Sequence, residues 1–312
     1  VIRAHGLSSQ IELQSKSRKT HLNIGGRLNY LEKFASFFVE PRIRLYQKFN
    51  PFVYAELLGE YKHQYTTQIV DFQSDFLGIE NRRWLLSNND DIPVIKSKQL
   101  SGGIHFKRNG WLLSGEAFYK EVNGITSQSQ GFLNQFQYEK TTGSYRIYGA
   151  EFLLNRQIEN LSTWLSYSHG INEYSFPALN SSLFPNNLDI AHTLNFGLSY
   201  SKNKTKISFG LDWHSGRPTT LPIEGQEVIE DQVNYSAPNS ARLAEYMRAD
   251  ISAQFSFDLG KRIKAKAAIA VWNLLDATNE TERYFTITDD QLNEVLRQSL
   301  GLTPNASLQI YF

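Results

Sequence analysis

The sequence contains the stretch Leu302-Thr303-Pro304-Asn305-Ala306-Ser307-Leu308-Gln309-Ile310-Tyr311-Phe312, in which apolar and polar residues alternate. A period of two places successive side chains on opposite faces of a β-strand. One face is then apolar and ends at the aromatic Phe312, while the other face is polar. This pattern fits a strand with one face in lipid and one in water, although a soluble antiparallel sheet alternates in the same way.

The same alternation repeats along the whole chain, which favours the membrane interpretation. Each segment is close to the roughly ten residues that a tilted strand needs to cross a bilayer. The sequence therefore predicts an all-β fold, a transmembrane antiparallel β-barrel wall of about 13 strands. The predicted strands are Leu7–Leu13, Leu22–Tyr30, Val39–Leu45, Val53–Tyr61, Leu100–Phe106, Leu113–Tyr119, Tyr148–Leu154, Leu161–Tyr167, Leu194–Tyr200, Ile207–Trp213, Met247–Phe257, Ile263–Val271 and Leu302–Phe312.

Composition narrows the class of protein. The 312 residues have a mean hydropathy of −0.41 and contain no run near the roughly 18 apolar residues of a membrane helix. Neither value argues against a membrane barrel, because half of the side chains in each strand face water and lower the mean hydropathy. The net charge of +1 gives no basic field for nucleic acid, and the absence of cysteine excludes disulfides and thiol chemistry.

The predicted connections alternate between short and long, except that Leu31–Ser36 is short where a long connection would be expected. This alternation is typical of periplasmic turns and extracellular loops. The short connections are 16–20, 47–51, 107–110, 155–160, 201–205 and 258–262, and the long ones are about 64–92, 123–143, 170–188, 215–244 and 276–300. In the last loop, Asp289 or Asp290 is predicted to cap a short helix through Gln298, because Leu292, Val295, Leu296 and Leu300 recur at helical spacing. Ile79–Leu86 is interpreted as another single turn.

Charged residues at the water-facing strand positions are the candidates for contact with an internal plug or a solute. We select Glu116, Glu151, Asp212, Arg248 and Asp250. The alternative is a hydrated wall whose charges pair with one another. In the long loops the candidates for an extracellular binding rim are Arg217, Glu224, Glu227 and Asp231, against the alternative of an ordinary solvated loop surface.

No pattern in the sequence indicates catalysis, a metal site or a cofactor. Asp189 and His192 form D-x-x-H, but on a strand residues three apart point to opposite faces. The seven His residues form no H-E-x-x-H, and no nucleophile elbow or phosphate-binding glycine loop is present. We therefore predict that the protein is not an enzyme.

A series of short signatures resembles the carboxy-terminal barrel half of TonB-dependent outer-membrane receptors, especially those of Bacteroidota. They occur in the family's order over most of the chain. The signatures are Glu40-Pro41-Arg42, Asp91-Ile92-Pro93-Val94, Gly115-Glu116-Ala117-Phe118-Tyr119-Lys120, Gly149-Ala150-Glu151, Trp164-Leu165-Ser166-Tyr167-Ser168, Phe184-Pro185 before Asp189 and His192, Ser215-Gly216-Arg217-Pro218-Thr219, Asn239-Ser240-Ala241-Arg242-Leu243 and Asn273-Leu274-Leu275-Asp276.

The resemblance implies a 22-stranded barrel in the bacterial outer membrane, filled by an amino-terminal plug that binds TonB. Residues 1–312 would be the carboxy-terminal portion, because an odd count of strands cannot complete a single-chain bacterial barrel. The plug and early strands would belong to the same or a separate chain. The implied function is uptake of a scarce solute, and the alternative is a scaffold subunit of a larger outer-membrane complex. The resemblance does not identify the solute, nor does it decide whether a surface lipoprotein is a partner.

Overall fold

The computed structural model describes residues 3–71, 81–88, 90, 92–126, 142–177, 183–229, 232–260, 263–288 and 291–312. Its strands are β1 (Ala4–Gln14), β2 (Thr20–Leu31), β3 (Ser36–Lys48), β4 (Val53–Gln64), β5 (Thr66–Asp71), β6 (Asn81–Leu86), β7 (Ile95–Arg108), β8 (Trp111–Thr126), β9 (Thr142–Ile158), β10 (Leu161–Ser175), β11 (Leu183–Pro185), β12 (His192–Lys202), β13 (Thr205–His214), β14 (Pro218–Thr219), β15 (Val228–Ile229), β16 (Gln232–Val233), β17 (Ala241–Arg242), β18 (Tyr246–Asp258), β19 (Lys264–Trp272), β20 (Glu280–Thr288), β21 (Gln291–Gln298) and β22 (Thr303–Tyr311).

Fourteen of these strands form one antiparallel sheet, in which the short β11 pairs with the end of β10, and we call the other thirteen strands the wall. Its order is β1-β2-β3-β4-β7-β8-β9-β10-β12-β13-β18-β19-β22, so each long strand lies beside the next long strand along the chain. The wall strands contain 9 to 17 residues, which is enough to cross a bilayer. The predicted thirteen-strand antiparallel wall is confirmed, and most strands extend a few residues beyond their predicted ends.

The register places apolar residues opposite one another across the wall. Leu7 lies opposite Leu28, which in turn lies opposite Val39, and Leu198 lies opposite Phe209. We call this side of the sheet the apolar face and the other side the polar face. Large side chains on the apolar face are exposed, including Leu7 at 73% and Ile104 at 63%. A soluble sheet would bury such a face, whereas lipid covers it in a membrane barrel.

The alternation also predicts that eight residues of β12, β13 and β22 face lipid and look exposed, and all eight lie on the apolar face. Ile207, Leu308 and Ile310 are exposed, and the other five are half-buried by their neighbours in the sheet. The other five are Leu194, Phe196, Leu198, Phe209 and Leu211. The prediction that these side chains look exposed is therefore confirmed for three of the eight, and none of the eight is buried in a protein core.

The short turns follow from local backbone chemistry. Asn109 and Gly110 connect β7 to β8 with positive φ angles of 47° and 77°, the geometry of a two-residue hairpin turn that favours Asn-Gly. A Cβ atom on Gly110 would clash with the carbonyl oxygen of Gln157. The glycine is therefore required both by the turn and by close packing against β9.

The long loops contain short hairpins, and the sequence predicted two of them wrongly. Residues 291–298 form strand β21, paired with β20, and not a helix. The cap residues Asp289 and Asp290 lie outside the described residues. Residues 81–86 form strand β6, paired with β5, and not a single helical turn, while Ile79 and Glu80 also lie outside the described residues. A partner strand supplied by tertiary structure outweighs a few apolar residues at helical spacing.

Helix is nearly absent from the described residues. A 3₁₀ turn at Glu32–Phe34 lies in the connection between β2 and β3. No helix in the described ranges is long and apolar enough to cross a membrane. The predicted near-absence of helix outside loops is confirmed for this part of the chain.

A small buried core lies at the long-loop end of the wall. Its side chains come from the ends of β8 and β10 and from the following loop, and they are Val122, Ile125, Tyr174, Phe176 and Phe184. Phe184 belongs to β11, which pairs with the end of β10. The apolar packing of the described chain is thus concentrated where loops fold over the strand ends, beyond the exposed apolar face.

The wall has two open edges in the described structure. Strand β1 pairs only with β2, and β22 pairs only with β19. The sheet is therefore not closed into a barrel by these strands alone.

Candidate functional site

The polar face brings together the five strand residues selected from the sequence. Each sits one position away from residues of the apolar face, so alternation directs it to the opposite side. Glu116 and Glu151 lie on β8 and β9, Asp212 on β13, and Arg248 and Asp250 on β18. They form two groups, one on each half of the wall.

The first group is a pair of carboxylates. Glu116 lies directly opposite Glu151 in the register of β8 and β9. Neither residue forms an ion pair with another described residue, and like charges directly opposite each other on one face repel. The two carboxylates border a cavity of about 590 Å³ that Gln99, Lys120 and Tyr145 also line. This part of the polar face can accept hydrogen bonds and attract a cationic group.

The second group is centred on a two-point ion pair. The Arg248 Nε and Nη2 atoms donate to Asp250 Oδ1 and Oδ2, both at 2.8 Å. Asp250 Oδ1 also accepts the backbone N–H of Asn273 at 2.9 Å, and the Arg248 guanidinium lies 5.5 Å from the Trp272 ring centre. These contacts fix the orientation of both charged side chains, because a guanidinium and a carboxylate match each other in two places.

Asp212 completes this group without an ion pair among the described residues. It lies directly opposite Arg248 in the register, but the Arg248 guanidinium contacts Asp250 instead. Beside it a groove of about 460 Å³ is bordered by Trp164 and Trp272, and its floor includes Gly197 and Gly210. The Trp164 ring covers Gly197, where a Cβ atom would clash with Trp164 Nε1, whereas a Cβ atom on Gly210 would have no heavy atom within 4 Å. The open space for a planar or extended group therefore lies at Gly210.

The groups on the polar face are suited to recognition of a ligand. Its groups are carboxylates, guanidinium, hydroxyls and aromatic rings, which bind by charge, hydrogen bonds and stacking. No cluster of three or more His, Cys, Asp or Glu side chains in the described ranges could hold a metal ion. Asp189 and His192, the D-x-x-H pair, have separate partners: Asp189 contacts Arg242 and His192 contacts the Tyr167 hydroxyl.

The structure describes three of the four residues selected for the extracellular rim. Arg217 and Glu224 are exposed in the 215–244 loop and share no contact. Glu227 accepts the backbone N–H of Gly225 at 2.8 Å, and this hydrogen bond lowers the pKa of the Glu227 carboxyl. Asp231 lies outside the described residues. A rim role for these residues stays a prediction.

An ion pair at the long-loop end was not identified from the sequence. The Arg242 Nη2 atom contacts Asp189 Oδ2, and Nη1 donates to the carbonyl oxygens of Asp189 and Gly216 at 2.8 and 3.0 Å. Asp189 Oδ1 accepts the backbone N–H of Asn172 at 2.7 Å. The Asp189 side chain is 6% exposed, so this buried carboxylate ties two loops and the end of β10 together.

Asparagine side chains anchor the other loops to the wall. Asn279 accepts the Met247 N–H and donates to the Met247 carbonyl, both at 2.9 Å. Asn239 donates to the Pro185 carbonyl at 2.8 Å, and Asn273 donates to Ala277 and Leu300 at 2.9 and 3.1 Å. Asn239, Asn273, Asp189 and Arg242 all belong to the short signatures, so those signatures mark the places where loops join the strands.

Solved structures of iron transporters and of a siderophore receptor share this fold. The ferric citrate transporter FecA in its unliganded form has a TM-score of 0.65 and 12% identity, covering 99% of this chain and 45% of that one. The siderophore receptor PirA from Acinetobacter baumannii has a TM-score of 0.65 and 15% identity, covering 99% and 46%. The FrpB iron transporter from Neisseria meningitidis has a TM-score of 0.65 and 12% identity, covering 99% and 45%. At such identities the likeness shows the fold alone.

The chain spans less than half the length of these solved receptors. No curated protein matches the sequence significantly. The family model described as "TonB dependent receptor-like, beta-barrel" matches residues 10–274, which is most of the chain and covers twelve of the thirteen wall strands in whole or in part. The chain therefore belongs to the TonB-dependent receptor-like β-barrel family.

Proposed function

We propose that this chain forms part of the barrel of an outer-membrane receptor that takes up a scarce solute with energy coupled through TonB. The observation that carries the proposal is the family match over residues 10–274, on a wall whose apolar face is exposed across its whole width. The Bacteroidota type of receptor stays a prediction. No observation favours the alternative of a scaffold subunit.

The first solute class to test is ferric chelates. The similar structures include a ferric citrate transporter, a siderophore receptor and a ferripyoverdine receptor of the outer membrane of Pseudomonas aeruginosa. Function depends on the site and not on the fold, so cobalamin, oligosaccharides and peptides are the further classes to test.

The proposed partners follow from the open edges and the polar face. An amino-terminal remainder, in the same or a separate chain, would supply the early strands and a plug, and TonB would act through that plug. In this arrangement the polar face lines the lumen. The unpaired carboxylates Glu116 and Glu151, and the Asp212–Arg248–Asp250 group, would contact the plug or the passing solute. A surface lipoprotein could cover the long loops.

The test is an uptake experiment in the native bacterium. A strain without this protein is complemented with the full receptor or with a Glu116→Gln, Glu151→Gln double variant. Radiolabelled iron is supplied as ferric citrate or ferric enterobactin, with and without a protonophore that removes the energy for TonB. We expect uptake only in complemented cells, abolished by the protonophore and reduced severalfold in the double variant.

A control variant removes one negative charge at a position away from the polar face. Glu159→Gln lies in the β9–β10 turn, where Glu159 has a positive φ of 44°, and should transport normally. Uptake that is unchanged when the protein is deleted, for the chelates and for the other three solute classes, would reject the receptor function. Normal uptake by the double variant would reject only the assigned role of the carboxylates.

A further inference from the structure

The end of the wall that carries the short turns is strongly basic. Its turn segments are 14–20, 47–53, 107–112, 156–161, 201–205, 258–260 and 263–264, and we call them together the short-turn end. They contain ten Lys and Arg residues and only two carboxylates, Glu159 and Asp258. The rest of the chain holds 22 basic and 29 acidic residues. A nearly neutral protein thus has a positive end, which attracts anions within about a Debye length, near 10 Å in dilute salt.

Two arginines of this end lie on the apolar face beside an exposed tryptophan. Arg108, Trp111 and Arg156 are directly opposite one another on β7, β8 and β9, and Trp111 shares its face with the apolar Leu113. The Arg156 guanidinium lies 4.5 Å from the centre of the Trp111 ring. The Arg108 guanidinium lies 4.5 Å from the centre of the Phe52 ring. Stacking on the rings holds both cations at the edge of the apolar face.

The hydrogen-bonding capacity of these cations is largely unused. A guanidinium carries five N–H donors. Arg156 Nη1 donates to the Asn109 carbonyl. Its Nε atom is buried without a partner, and its Nη2 atom has no partner in the described structure. Arg108 is exposed and has no hydrogen bond or ion pair with any described residue. Glu159, the acidic residue in the neighbouring turn, pairs with neither arginine. The Arg108 guanidinium and the Arg156 Nη2 atom are therefore available to an external anion, while Arg156 Nε is buried.

We propose that Arg108, Trp111 and Arg156 form a binding site for the phosphate headgroup of an anionic phospholipid at the membrane surface beside the short turns. The site rests on the proposed placement of the wall in a membrane. Guanidinium groups bind phosphate in two-point geometry, and tryptophan prefers the interface between headgroups and acyl chains.

The surroundings favour a lipid over a soluble anion. Phe49, Phe52 and Ile158 around the arginines are exposed at 57%, 37% and 47%, so a ligand there must offer apolar chains as well as a phosphate. In an outer-membrane barrel the short turns face the periplasm. The ligand would then come from the leaflet on that side.

The experiment uses the full receptor, purified with the strands that complete its wall and placed in vesicles of equal parts phosphatidylglycerol and phosphatidylcholine. Native mass spectrometry counts the lipids that stay bound after transfer to detergent. Each basic residue near an anionic surface favours the anionic lipid about fivefold. We expect the wild-type protein to retain phosphatidylglycerol at least about fivefold over phosphatidylcholine, and the Arg108→Gln, Arg156→Gln variant to retain the two lipids nearly equally.

A control variant, Lys62→Gln with Lys96→Gln, removes two positive charges near the long-loop end and should keep the wild-type preference. Equal retention of both lipids by the wild-type protein would overturn the site, as would an equal loss of preference in the control. Displacement of the lipid by added inorganic phosphate would show a free-anion site and also overturn it.

Trp111→Ala, which keeps both cations, should lower the total amount of retained lipid. Unchanged retention would remove Trp111 from the site. Solute uptake by the arginine variant is expected to be normal, so a failed receptor function and a failed lipid site give different results.

Discussion

Glu116 and Glu151 lie directly opposite each other on the polar face, and neither is neutralised by an ion pair with a described residue. Opposed like charges on neighbouring strands destabilise a sheet by roughly 0.2–1 kcal/mol. We expect Glu151→Gln to raise the free energy of unfolding by about that amount at neutral pH. Chemical denaturation of the purified receptor, followed by its heat-modifiable gel migration, measures the change.

The matched control for this change is Glu173→Gln on the neighbouring strand β10. Glu173 accepts Arg146 Nε and Nη2 at 3.0 and 2.9 Å, so losing its charge should lower stability slightly, by under about 1 kcal/mol for an exposed pair. If both variants shift stability in the same direction, repulsion between Glu116 and Glu151 is not the cause.

A second prediction concerns the ion pair between Asp189 and Arg242. Arg242→Met leaves the buried Asp189 carboxylate without its cation. Removing one partner of a buried pair costs about 3–5 kcal/mol. Because the Arg242 side chain is 40% exposed, we expect a smaller loss of about 1–3 kcal/mol. Faster proteolysis within 183–190 should accompany it.

Arg217→Met is the control for that variant, since Arg217 is an exposed arginine in the same loop region without an ion pair to a described residue. It should leave both stability and proteolysis unchanged. A wild-type proteolysis pattern in Arg242→Met would show that the ion pair does not hold the loops.

A third prediction tests the lipid-facing assignment on one strand. Phe209 lies opposite Leu198 and Ile251 on the apolar face. Phe209→Arg places a charge in hydrocarbon and should cost roughly 2–4 kcal/mol near the middle of the membrane. Unfolding and refolding in lipid vesicles measures this cost.

The neighbouring residue supplies the control. Gly210 faces the other side, and a Cβ atom there would have no heavy atom within 4 Å. Gly210→Arg should change the free energy of unfolding by less than about 1 kcal/mol, since its charge stays in the polar lumen. Equal costs for the two variants would reject the assignment of the two faces.

A fourth prediction concerns the two open edges. An unsatisfied backbone N–H or C=O group in hydrocarbon costs several kcal/mol. We therefore expect β1 and β22 to pair with strands outside these 312 residues, about nine of them if the wall has the 22 strands of the largest plugged transporters. Hydrogen–deuterium exchange should show slow exchange along both strands in the purified receptor, and mass spectrometry should reveal the additional strands.

The competing outcome is direct pairing of β22 with β1. Cysteine substitutions at Ser8 and Ser307 test this pairing, because the chain has no cysteine of its own. An efficient disulfide between them would indicate a closed thirteen-strand barrel. That result would remove both the missing strands and the plugged receptor from the proposed function.

The alternation of apolar and polar residues determined the wall. The pattern in Leu302–Phe312, repeated along the chain, predicted thirteen strands, their antiparallel order and an apolar and a polar face. This succeeded because side-chain direction in a strand is set locally by the backbone period of two, and a slip of one residue would place every apolar side chain on the wrong face. The same rule directed Glu116 and Asp250 to the polar face.

Only the tertiary structure decided which segments pair in the loops and which charged side chains contact each other. Residues 291–298 became a strand because β20 supplied a hydrogen-bonding partner. Arg242 forms an ion pair with Asp189, which is 53 residues away in the sequence. Arg248 forms an ion pair with Asp250 on its own strand and not with Asp212, which lies opposite it. Such choices depend on which groups the fold brings within hydrogen-bond distance, and sequence spacing alone does not encode that distance.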